Sequence, residues 1–269
     1  MWGFSRKTRK TDDQSSRPVG RAGIRCYVVG DVHGRLDLLE QLGGMIDRHE
    51  RGRPALETVV VLLGDLIDRG PDTKGVLNYV LSQQDSGRRH IALCGNHEEM
   101  LIHSLSGSRQ ALARWYANGG DAAMRSYGLD PLKLPADDPA GLLRNLEAAI
   151  PSRHRQFVRS LPDSVRFGDY FLVHAGIRPG IPLDQQKPQD LRWIRSEFLN
   201  SDQPHEAHIV HGHSNLAAAE FHSNRTAIDT SAHESGVLTA LWIEGAERGL
   251  LATGEVKGDL APARTRATA

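Results

Sequence analysis

The sequence has little of what marks secreted, membrane or nucleic-acid-binding proteins. Only two of its 269 residues are cysteines, Cys26 and Cys94, and they lie far apart in apolar runs. A disulfide framework is therefore not expected, and a reducing compartment such as the cytoplasm is favoured. No run of about 18 apolar residues occurs and the basic N-terminus lacks an apolar core, so neither stable membrane association nor secretion is predicted. The 33 basic and 33 acidic residues cancel, whereas nucleic-acid binders usually carry a basic excess, so no nucleic-acid partner is predicted.

Length and composition predict one folded domain between two tails. Hydrophobic residues make up 39% of the chain, an ordinary value for a globular protein, and the chain is long enough for a substantial core. Residues 1–22 mix basic residues with Ser, Thr and Asp, which predicts a flexible basic tail. Residues 23–258 are predicted to form the folded domain, and residues 259–269 a frayed C-terminal tail.

The apolar pattern predicts an α/β fold. Runs typical of buried strands cover residues 24–29, 58–63 and 90–93, and each leads through a glycine-containing turn into a helical pattern. This threefold strand–turn–helix order indicates a parallel sheet. Residues 105–162 are mostly helical and are predicted to form an insert over the sheet. Further strands are predicted at residues 165–167, 170–173, 208–210, 226–228, 237–243 and 250–256.

Potential metal ligands follow five of these predicted strands, each beside or near a glycine. The carboxyl ends of strands in an open α/β sheet converge on one binding crevice, so these side chains are expected to meet although they are distant in sequence. They are Asp31 and His33, Asp65, Asn96, His174, and His213. Any one of them alone could be a helix cap, a turn residue or a core histidine.

The residue types in this set favour a particular class of metal. Two Asp, one Asn and three His offer oxygen and nitrogen without thiolate, which suits Mn²⁺, Fe or Zn²⁺. Six ligands are too many for one catalytic ion that must keep an open position. They suit two ions bridged by a carboxylate, which can activate a water for attack on a phosphate ester.

Five sequence blocks carry a resemblance to a known family. In order, GDVHG, GDLIDRG, GNHE, VHAG and GH, at residues 30–34, 64–70, 95–98, 173–176 and 212–213, resemble the motifs of the phosphoprotein phosphatase family of metallophosphoesterases. That family includes the eukaryotic Ser/Thr phosphatases, the phage lambda phosphatase and the symmetrical diadenosine tetraphosphate hydrolases. The match runs from about residue 24 to 240, and residues 161–198 are most similar to a bacterial branch.

The resemblance implies a fold and a metal centre. The expected architecture is a sandwich of two mixed β-sheets flanked by helices, with a helical insert. The cofactor would be two divalent ions, Mn²⁺ first, with Fe or Zn²⁺ as alternatives. The family pattern assigns Asp31 and His33 to the first ion, Asp65 to both, and Asn96, His174 and His213 to the second.

The resemblance also implies the groups that act on the substrate. His97 would protonate the leaving oxygen and Asp68 would orient it, since a carboxylate beside an imidazole favours the protonated ring. Arg69, Arg195 and Asn96 would contact the substrate phosphate, the arginines through the fork that matches phosphoryl oxygens.

One position departs from the family pattern. The family usually has Arg directly before the Gly-Asn-His block, but this chain has Cys94. Cysteine cannot clamp a phosphate, and losing one charged hydrogen bond weakens phosphate binding by roughly 2 kcal/mol. Arg88 and Arg89 are nearby in sequence and are candidates to replace it.

These residues predict hydrolysis of a phosphate ester by a metal-activated water. The first substrate class is phosphoserine or phosphothreonine in protein, because the Asp-Arg-Gly block is most similar to protein phosphatases. A dinucleoside polyphosphate of the diadenosine tetraphosphate type, or another small phosphoester, is the alternative that Cys94 favours. A non-catalytic module that keeps a structural metal site is a third alternative, and the oligomeric state is left open.

Overall fold

The structure is a computed structural model that describes residues 17–133 and 138–255. Two β-sheets form its centre. The strands are β1 (Ile24–Val29), β2 (Glu57–Leu62), β3 (Arg89–Ala92), β4 (Ser164–Phe167), β5 (Tyr170–Val173), β6 (His208–His211), β7 (Glu220–Phe221), β8 (Arg225–Ala227), β9 (Thr239–Glu244) and β10 (Glu247–Ala252).

Both sheets mix parallel and antiparallel pairs. The first has the order β10-β9-β1-β2-β3, with β1, β2 and β3 parallel and β9 and β10 antiparallel. The second has the order β4-β5-β6-β8-β7, with β5, β6 and β8 parallel. The predicted sandwich of two mixed sheets is confirmed.

Helices cover the outer faces of the sheets. They are α1 (Leu36–Arg51), α2 (Thr73–Asp85), α3 (Asn96–Ser104), α4 (Arg109–Trp115), α5 (Asp121–Ser126), α6 (Pro139–Ala149), α7 (Ser152–Arg159), α8 (Pro188–Trp193), α9 (Ser196–Leu199) and α10 (Ala232–Ser235). Short 3-10 turns lie at Pro131–Lys133 and Leu183–Gln185. Between α4 and α5, residues Tyr116–Gly120 break the helix, with Asn118 and Gly119 outside helical angles. Helices α4 to α7 confirm the predicted helical insert.

The strand alternation of β1 shows how the layers form. Cys26 and Val28 point between the two sheets, where they pack with Leu172 of β5. Tyr27 and Val29 point to the other side and pack under α1 and α2. Side chains of a strand alternate between faces, so a strand that is apolar throughout must be covered on both sides. This is why the apolar run of β1 continues without interruption from Cys26 to Val29.

Two strands differ from the sequence-based prediction. The two-residue strand β7 was not predicted, because so short a segment shows no apolar period. Strand β10 begins at Glu247 and ends at Ala252, whereas the pattern predicted residues 250–256. The register is set by the turn at Gly245, whose φ is 54°, because a tight turn fixes which residues of a hairpin pair.

The predicted domain limits stay a prediction. Residues 1–16 and 256–269, which hold most of both predicted tails, lie outside the described residues. Within the described part of the N-terminal segment, Gly20 donates to the carbonyl of Gly245 and the Val19 carbonyl accepts from Asp169. Among the described helices, none combines the length and apolar character needed to cross a membrane.

Candidate active site

The carboxyl ends of the strands place the candidate ligands at one edge of the sandwich. Asp31 follows β1 and Asp65 follows β2, and the parallel pairing of these strands brings both to the same edge. His174 follows β5 in the other sheet, and its Nδ1 lies 3.0 Å from the Leu63 carbonyl at the end of β2. The two sheets therefore meet at their strand ends, as the sequence predicted.

Asp65 lies at the centre of two groups of potential metal ligands. Ligand atoms of His33, Asp65 and His97 form one group, and those of Asp65, His174 and His213 form the other. Within each group these atoms lie within 4.8 Å of one another. All five side chains are buried, and Asp65 is the residue that both groups share.

Two further predicted ligands complete the surroundings of these groups. The Asn96 Oδ1 lies 2.9 Å from His174 Nε2, beside the second group. The Asp31 carboxylate accepts from the backbone N–H of His213, at 3.1 Å to Oδ2. It stands next to the two groups without joining either. The first group also contains His97, to which the sequence gave the role of acid, so the assignment of Asp31 and His33 to one ion stays a prediction.

The histidines are prepared to act as ligands through Nε2. His33 Nδ1 lies 2.9 Å from the Ile67 carbonyl, and His174 Nδ1 makes the contact to Leu63 described above. A ring N–H that donates to a carbonyl leaves the lone pair on the other nitrogen. Burial lowers the pKa of His33 and His174, and it lowers that of His213 to about 2. These rings are therefore neutral, the form that binds a metal.

An unsatisfied nitrogen atom indicates that the site fits a cation. The Nε2 atom of His213 is buried, belongs to a ring whose pKa burial lowers, and has no hydrogen-bond partner among the described residues. Buried polar atoms nearly always have a partner, so such an atom points to a ligand. The donor set is rich in carboxylate and neutral imidazole, which suits a borderline divalent ion.

The carboxyl groups of this site are crowded together in the protein interior. Burial opposes ionisation of Asp65, but the four surrounding imidazoles lower its pKa. For Asp31 the same burial raises the pKa, and the charges of Asp229 and Asp65 raise it further. Several buried carboxylates at one place are costly without counter-charge. Two divalent ions would supply it.

Backbone strain is concentrated at this site. In the described chain, six residues other than glycine have positive φ, and all belong to the strand-end loops. They are His33 (46°), Asp65 (46°), Asp68 (72°), Arg69 (63°), His213 (62°) and Ser231 (55°). Such angles cost free energy and persist where the surroundings impose them, most often at functional sites.

Two glycines allow the close approach of neighbouring loops. A Cβ at Gly95 would lie 2.2 Å from Asp65 Oδ1, and one at Gly212 would lie 2.1 Å from Asp31 Oδ1. Neither position accepts a side chain, because real Cβ atoms do not come so near. The glycines of these sequence blocks are therefore required by the position of the carboxylates.

His97 and Asp68 form a buried pair beside the first group. The Nδ1 of His97 lies 2.7 Å from Asp68 Oδ2, and Nε2 points away from Asp68. Burial lowers the pKa of His97, but the charge of Asp65 and the hydrogen bond with Asp68 outweigh this and raise it above the ordinary value. The pair thus favours a protonated ring with one free N–H, as an acid requires.

The two predicted phosphate arginines are exposed near the ligands. Arg69 lies on the strained turn after Asp68, and its Nη1 is 3.1 Å from His33 Nε2. Arg195 follows α8, and its charge lowers the pKa of His174 and of His213. Neither forms an ion pair with any described carboxylate, so both guanidinium groups are available to an anion.

Cys94 does not replace the missing arginine. Its side chain is buried, and burial raises the pKa of its thiol, so it is a small core residue. Arg88 and Arg89 pair with Asp47 and Glu57 at the start of β3, at the opposite end of the strand from Gly95. The expectation that either could substitute is wrong, because strand direction carries them away from the site.

Two acidic residues of the site were not assigned a role from the sequence. Glu98 is buried and accepts from the backbone N–H groups of Asp65, Leu66 and Gly95, so it ties two ligand loops together. Asp229 follows β8 at the same edge and is buried. Its position after a strand was the signal that could have identified it, because the predicted ligands also follow strands.

Comparison with known proteins agrees with this geometry. A family model described as calcineurin-like phosphoesterase matches residues 24–242. The chain is 30% identical over 223 residues to serine/threonine-protein phosphatase 1 of Salmonella typhimurium, covering 81% of this chain and 91% of that protein. It is 31% identical over 153 residues to the symmetrical bis(5'-nucleosyl)-tetraphosphatase of Acidovorax sp., covering 57% of this chain and 44% of that protein.

A solved structure shows the same fold. The crystal structure of a cold-active protein-tyrosine phosphatase from a psychrophilic Shewanella species matches with a TM-score of 0.55 at 21% identity, covering 87% of this chain and 82% of that one. The family model spans most of the described chain, and the Salmonella relative is aligned over nearly its whole length. The chain therefore belongs to the calcineurin-like phosphoesterase family, a family of metal-dependent hydrolases.

Proposed function

We propose that this protein hydrolyses phosphate monoesters at a centre of two divalent ions, with phosphoserine or phosphothreonine in protein as its substrate. The observation that carries the proposal is the position of Asp65, shared by two buried groups of ligands. Arg69 and the His97–Asp68 pair lie directly beside it.

Six residues would hold the ions. The sequence pattern and the strand-end geometry support Asp31 and His33 for one, Asp65 for both, and Asn96, His174 and His213 for the other. When bound, the ions supply an activated water and neutralise charge on the phosphoryl group. Mn²⁺ is the proposed pair, with Fe or Zn²⁺ as alternatives, because the ligands combine hard oxygen and borderline nitrogen.

His97 acts on the leaving group. A water oxygen forms a bond to phosphorus while the ester P–O bond breaks, and the Nε2 proton of His97 passes to the departing oxygen. The alcohol leaves neutral, the attacking water releases a proton to solvent, and His97 takes a proton back from solvent. Asp68 holds the ring through Nδ1 at 2.7 Å, which keeps Nε2 directed away from the carboxylate.

The phosphate is held by cationic and amide groups. Arg69 lies in the β2–α2 loop and Arg195 in the segment after α8, so the two guanidinium groups come from separate parts of the chain. A guanidinium fork binds two phosphoryl oxygens at once. The Asn96 amide nitrogen is the third donor, because its oxygen is directed at His174.

The protein substrate is favoured by the Arg69 turn and by the Salmonella relative. Arg69 is exposed next to the ligand residue His33, and that named serine/threonine-protein phosphatase is aligned over 91% of its own length. The two buried thiols, Cys26 and Cys94, support a reducing setting such as the cytoplasm.

A dinucleoside polyphosphate is the second candidate. Cys94 leaves the family's arginine position without charge, which reduces the hold on a phosphate monoester dianion. The Acidovorax relative is named a symmetrical tetraphosphatase, although the alignment covers only 44% of it. Both features favour a phosphoanhydride bond as the one that is cleaved.

A substrate panel decides between these candidates. Metal-stripped protein with Mn²⁺ added back is assayed on p-nitrophenyl phosphate, a phosphoserine peptide and diadenosine tetraphosphate, with His97→Asn in parallel. We expect metal-dependent turnover, a loss of roughly 100-fold or more in kcat for the peptide in His97→Asn, and a higher kcat/KM for the peptide than for the dinucleotide. The reverse preference establishes the second candidate. No turnover of any ester by metal-loaded wild type supports the non-catalytic alternative.

A further inference from the structure

A tryptophan of the helical insert contacts the Asp68–His97 pair. Trp115 lies at the end of α4, is fully buried, and its indole Nε1 lies 2.9 Å from both carboxylate oxygens of Asp68. One of those oxygens, Oδ2, is the atom that meets His97 Nδ1. The indole N–H therefore reaches the acid of the proposed reaction through a single intermediate residue.

The insert fixes this tryptophan tightly. A Cβ at Gly120 would lie 2.6 Å from Trp115 ring atoms, so the helix break after α4 packs its backbone on the indole. The carbonyl of Gly119 accepts the backbone N–H of Arg69 at 3.0 Å. Asp68 and Arg69, both at positive φ, are thus each anchored by this one short segment.

The indole N–H has a chemical task at this place. Asp68 is buried, and burial raises the pKa of its carboxyl even though bonds to His97 and Trp115 oppose this. A buried carboxylate needs donors on its oxygens. The Trp115 N–H lies equally close to both oxygens, so it donates to Oδ1, which His97 does not contact, as well as to Oδ2, which it does. Without that donor the carboxylate gains freedom to rotate or take up water, and its hold on the imidazole is lost.

We propose that Trp115 is a positioning residue for the reaction: its N–H fixes the Asp68 carboxylate so that His97 presents Nε2 to the leaving oxygen. This rests on the proposed function, in which His97 is the acid. Its consequence is specific, because proton donation matters for a poor leaving group and little for one that departs easily as an anion.

The test compares two esters in Trp115→Phe, which keeps an aromatic ring and removes the donor. p-Nitrophenyl phosphate has a good leaving group and phenyl phosphate a poor one. At saturating Mn²⁺ we expect kcat to fall roughly 10- to 100-fold for phenyl phosphate and less than about threefold for p-nitrophenyl phosphate, with KM nearly unchanged. His97→Asn should change the two esters in the same direction and by more.

Trp193→Phe is the matched control. The Trp193 Nε1 donates to Glu99 and not to Asp68, so this variant removes the same atom from another tryptophan–carboxylate pair. We expect any change in kcat to be equal for the two esters. An equal loss on both esters in Trp115→Phe, or no loss at all, overturns the positioning role.

A second measurement does not depend on turnover. In protein labelled with ¹⁵N at tryptophan, the indole resonance of Trp115, assigned by its absence in Trp115→Phe or Trp115→Tyr, should exchange slowly and should shift strongly in Asp68→Asn. A resonance that Asp68→Asn leaves in place shows that the contact is absent. If wild type and His97→Asn show the same leaving-group dependence, the proposed function is at fault, and the contact itself is then judged by the resonance.

Discussion

Both ends of the first sheet contain buried ionisable side chains, but they differ in whether the protein itself supplies all the partners of those side chains. At the amino end of β1, Arg25 is fully buried and uses every guanidinium nitrogen: Nε bonds Glu244, Nη1 bonds Glu50 and Nη2 bonds the Pro54 carbonyl. Tyr27 also donates to Glu50. This network is complete within the protein.

The carboxyl end of the same sheet is incomplete by comparison. Asp65 is surrounded by imidazoles, the buried Nε2 atom of His213 has no partner among the described residues, and the backbone is strained at several positions. A charge network that satisfies itself stabilises the fold, whereas one that leaves ligand atoms open is arranged for something added later. The comparison distinguishes a structural charge cluster from a functional one.

The largest effect is expected at the incomplete end. Asp65→Asn removes the carboxylate shared by both groups, so the second ion should be lost and kcat should fall by about 10³-fold or more, roughly 4 kcal/mol. Metal content by elemental analysis and turnover of p-nitrophenyl phosphate measure this. The free energy of unfolding of the metal-free protein is measured alongside, so that loss of an ion is distinguished from loss of the fold.

Asp47→Asn is the control for that variant, because Asp47 pairs with Arg88 at the other end of the sheet and is partly exposed. It should keep both ions and full turnover. An Asp65→Asn protein with two bound ions and wild-type turnover would remove the basis of the comparison.

The next effect is expected at the complete end, on stability alone. Arg25→Met leaves Glu50 and Glu244 without their main partner. Unfolding in urea should show a loss of about 3 kcal/mol, at the low end for buried pairs because both carboxylates are partly exposed. Turnover by the folded fraction should stay within about twofold of wild type.

Arg89→Met tests whether burial is the reason. Arg89 pairs with Glu57 in the same sheet, but both side chains are half exposed, so the loss should be under about 1 kcal/mol. Equal losses in the two variants would show that burial of Arg25 adds nothing.

A smaller effect is expected from a buried histidine at the start of β6, in the second sheet. Burial, and to a lesser extent the charge of Arg248, lowers the pKa of His208 to about 3; His205 and His222 also face it, and its Nε2 lies 2.8 Å from Thr226 Oγ1. The unfolded chain therefore binds the extra proton first, below pH about 6.5. Stability from this group is complete above that pH and is lost as pH falls toward 3.

His208→Gln removes this titration and keeps a side chain that can hydrogen-bond. Between pH 7 and pH 5, wild type should lose about 2 kcal/mol more of its free energy of unfolding than the variant, measured by urea titration of the metal-free proteins. Parallel pH curves for the two proteins would contradict the lowered pKa.

The smallest effect is expected where the insert meets the phosphate arginine. A Cβ at Gly119 would lie 2.7 Å from Arg69 Cγ, and Gly119 has φ of 96°. Gly119→Ala should displace Arg69 and raise KM for phosphoserine peptide about fivefold, roughly 1 kcal/mol, with a smaller change in kcat. Gly128→Ala has a similar backbone angle of 80° with nothing within 4 Å of its Cβ, so it should leave KM unchanged.

The strand ends explain how far the sequence could predict this protein. The apolar runs before Asp31, Asp65 and His174 predicted strands, and the parallel order predicted one edge for their ends. Strand β7 was missed because two residues are too few to show an apolar period. Strand β10 was placed too late along the chain because its limits depend on the preceding turn and not on the apolar pattern.

The sequence predicted the candidate ligands better than the residues that hold them in place. Glu98 and Trp115 make their contacts across 33 and 47 positions of sequence, and no local pattern distinguishes them from an ordinary helix residue and a core aromatic. The suggestion that Arg88 or Arg89 could replace the missing arginine was wrong for a related reason. A strand is extended, so residues at its start lie far in space from the site at its end.

By itself, the sequence determined the family, through five motif blocks in order, and the resemblance implied the sandwich of two sheets. The threefold strand–turn–helix order indicated parallel strands, and the ends of parallel strands lie at one edge, where the candidate groups converge. The tertiary structure decided which atoms are satisfied and which remain open. It placed His97 in the first ligand group and Asp31 beside it, directed Trp115 at Asp68, and completed the Arg25 network. These outcomes depend on contacts between distant segments, and packing alone sets such contacts.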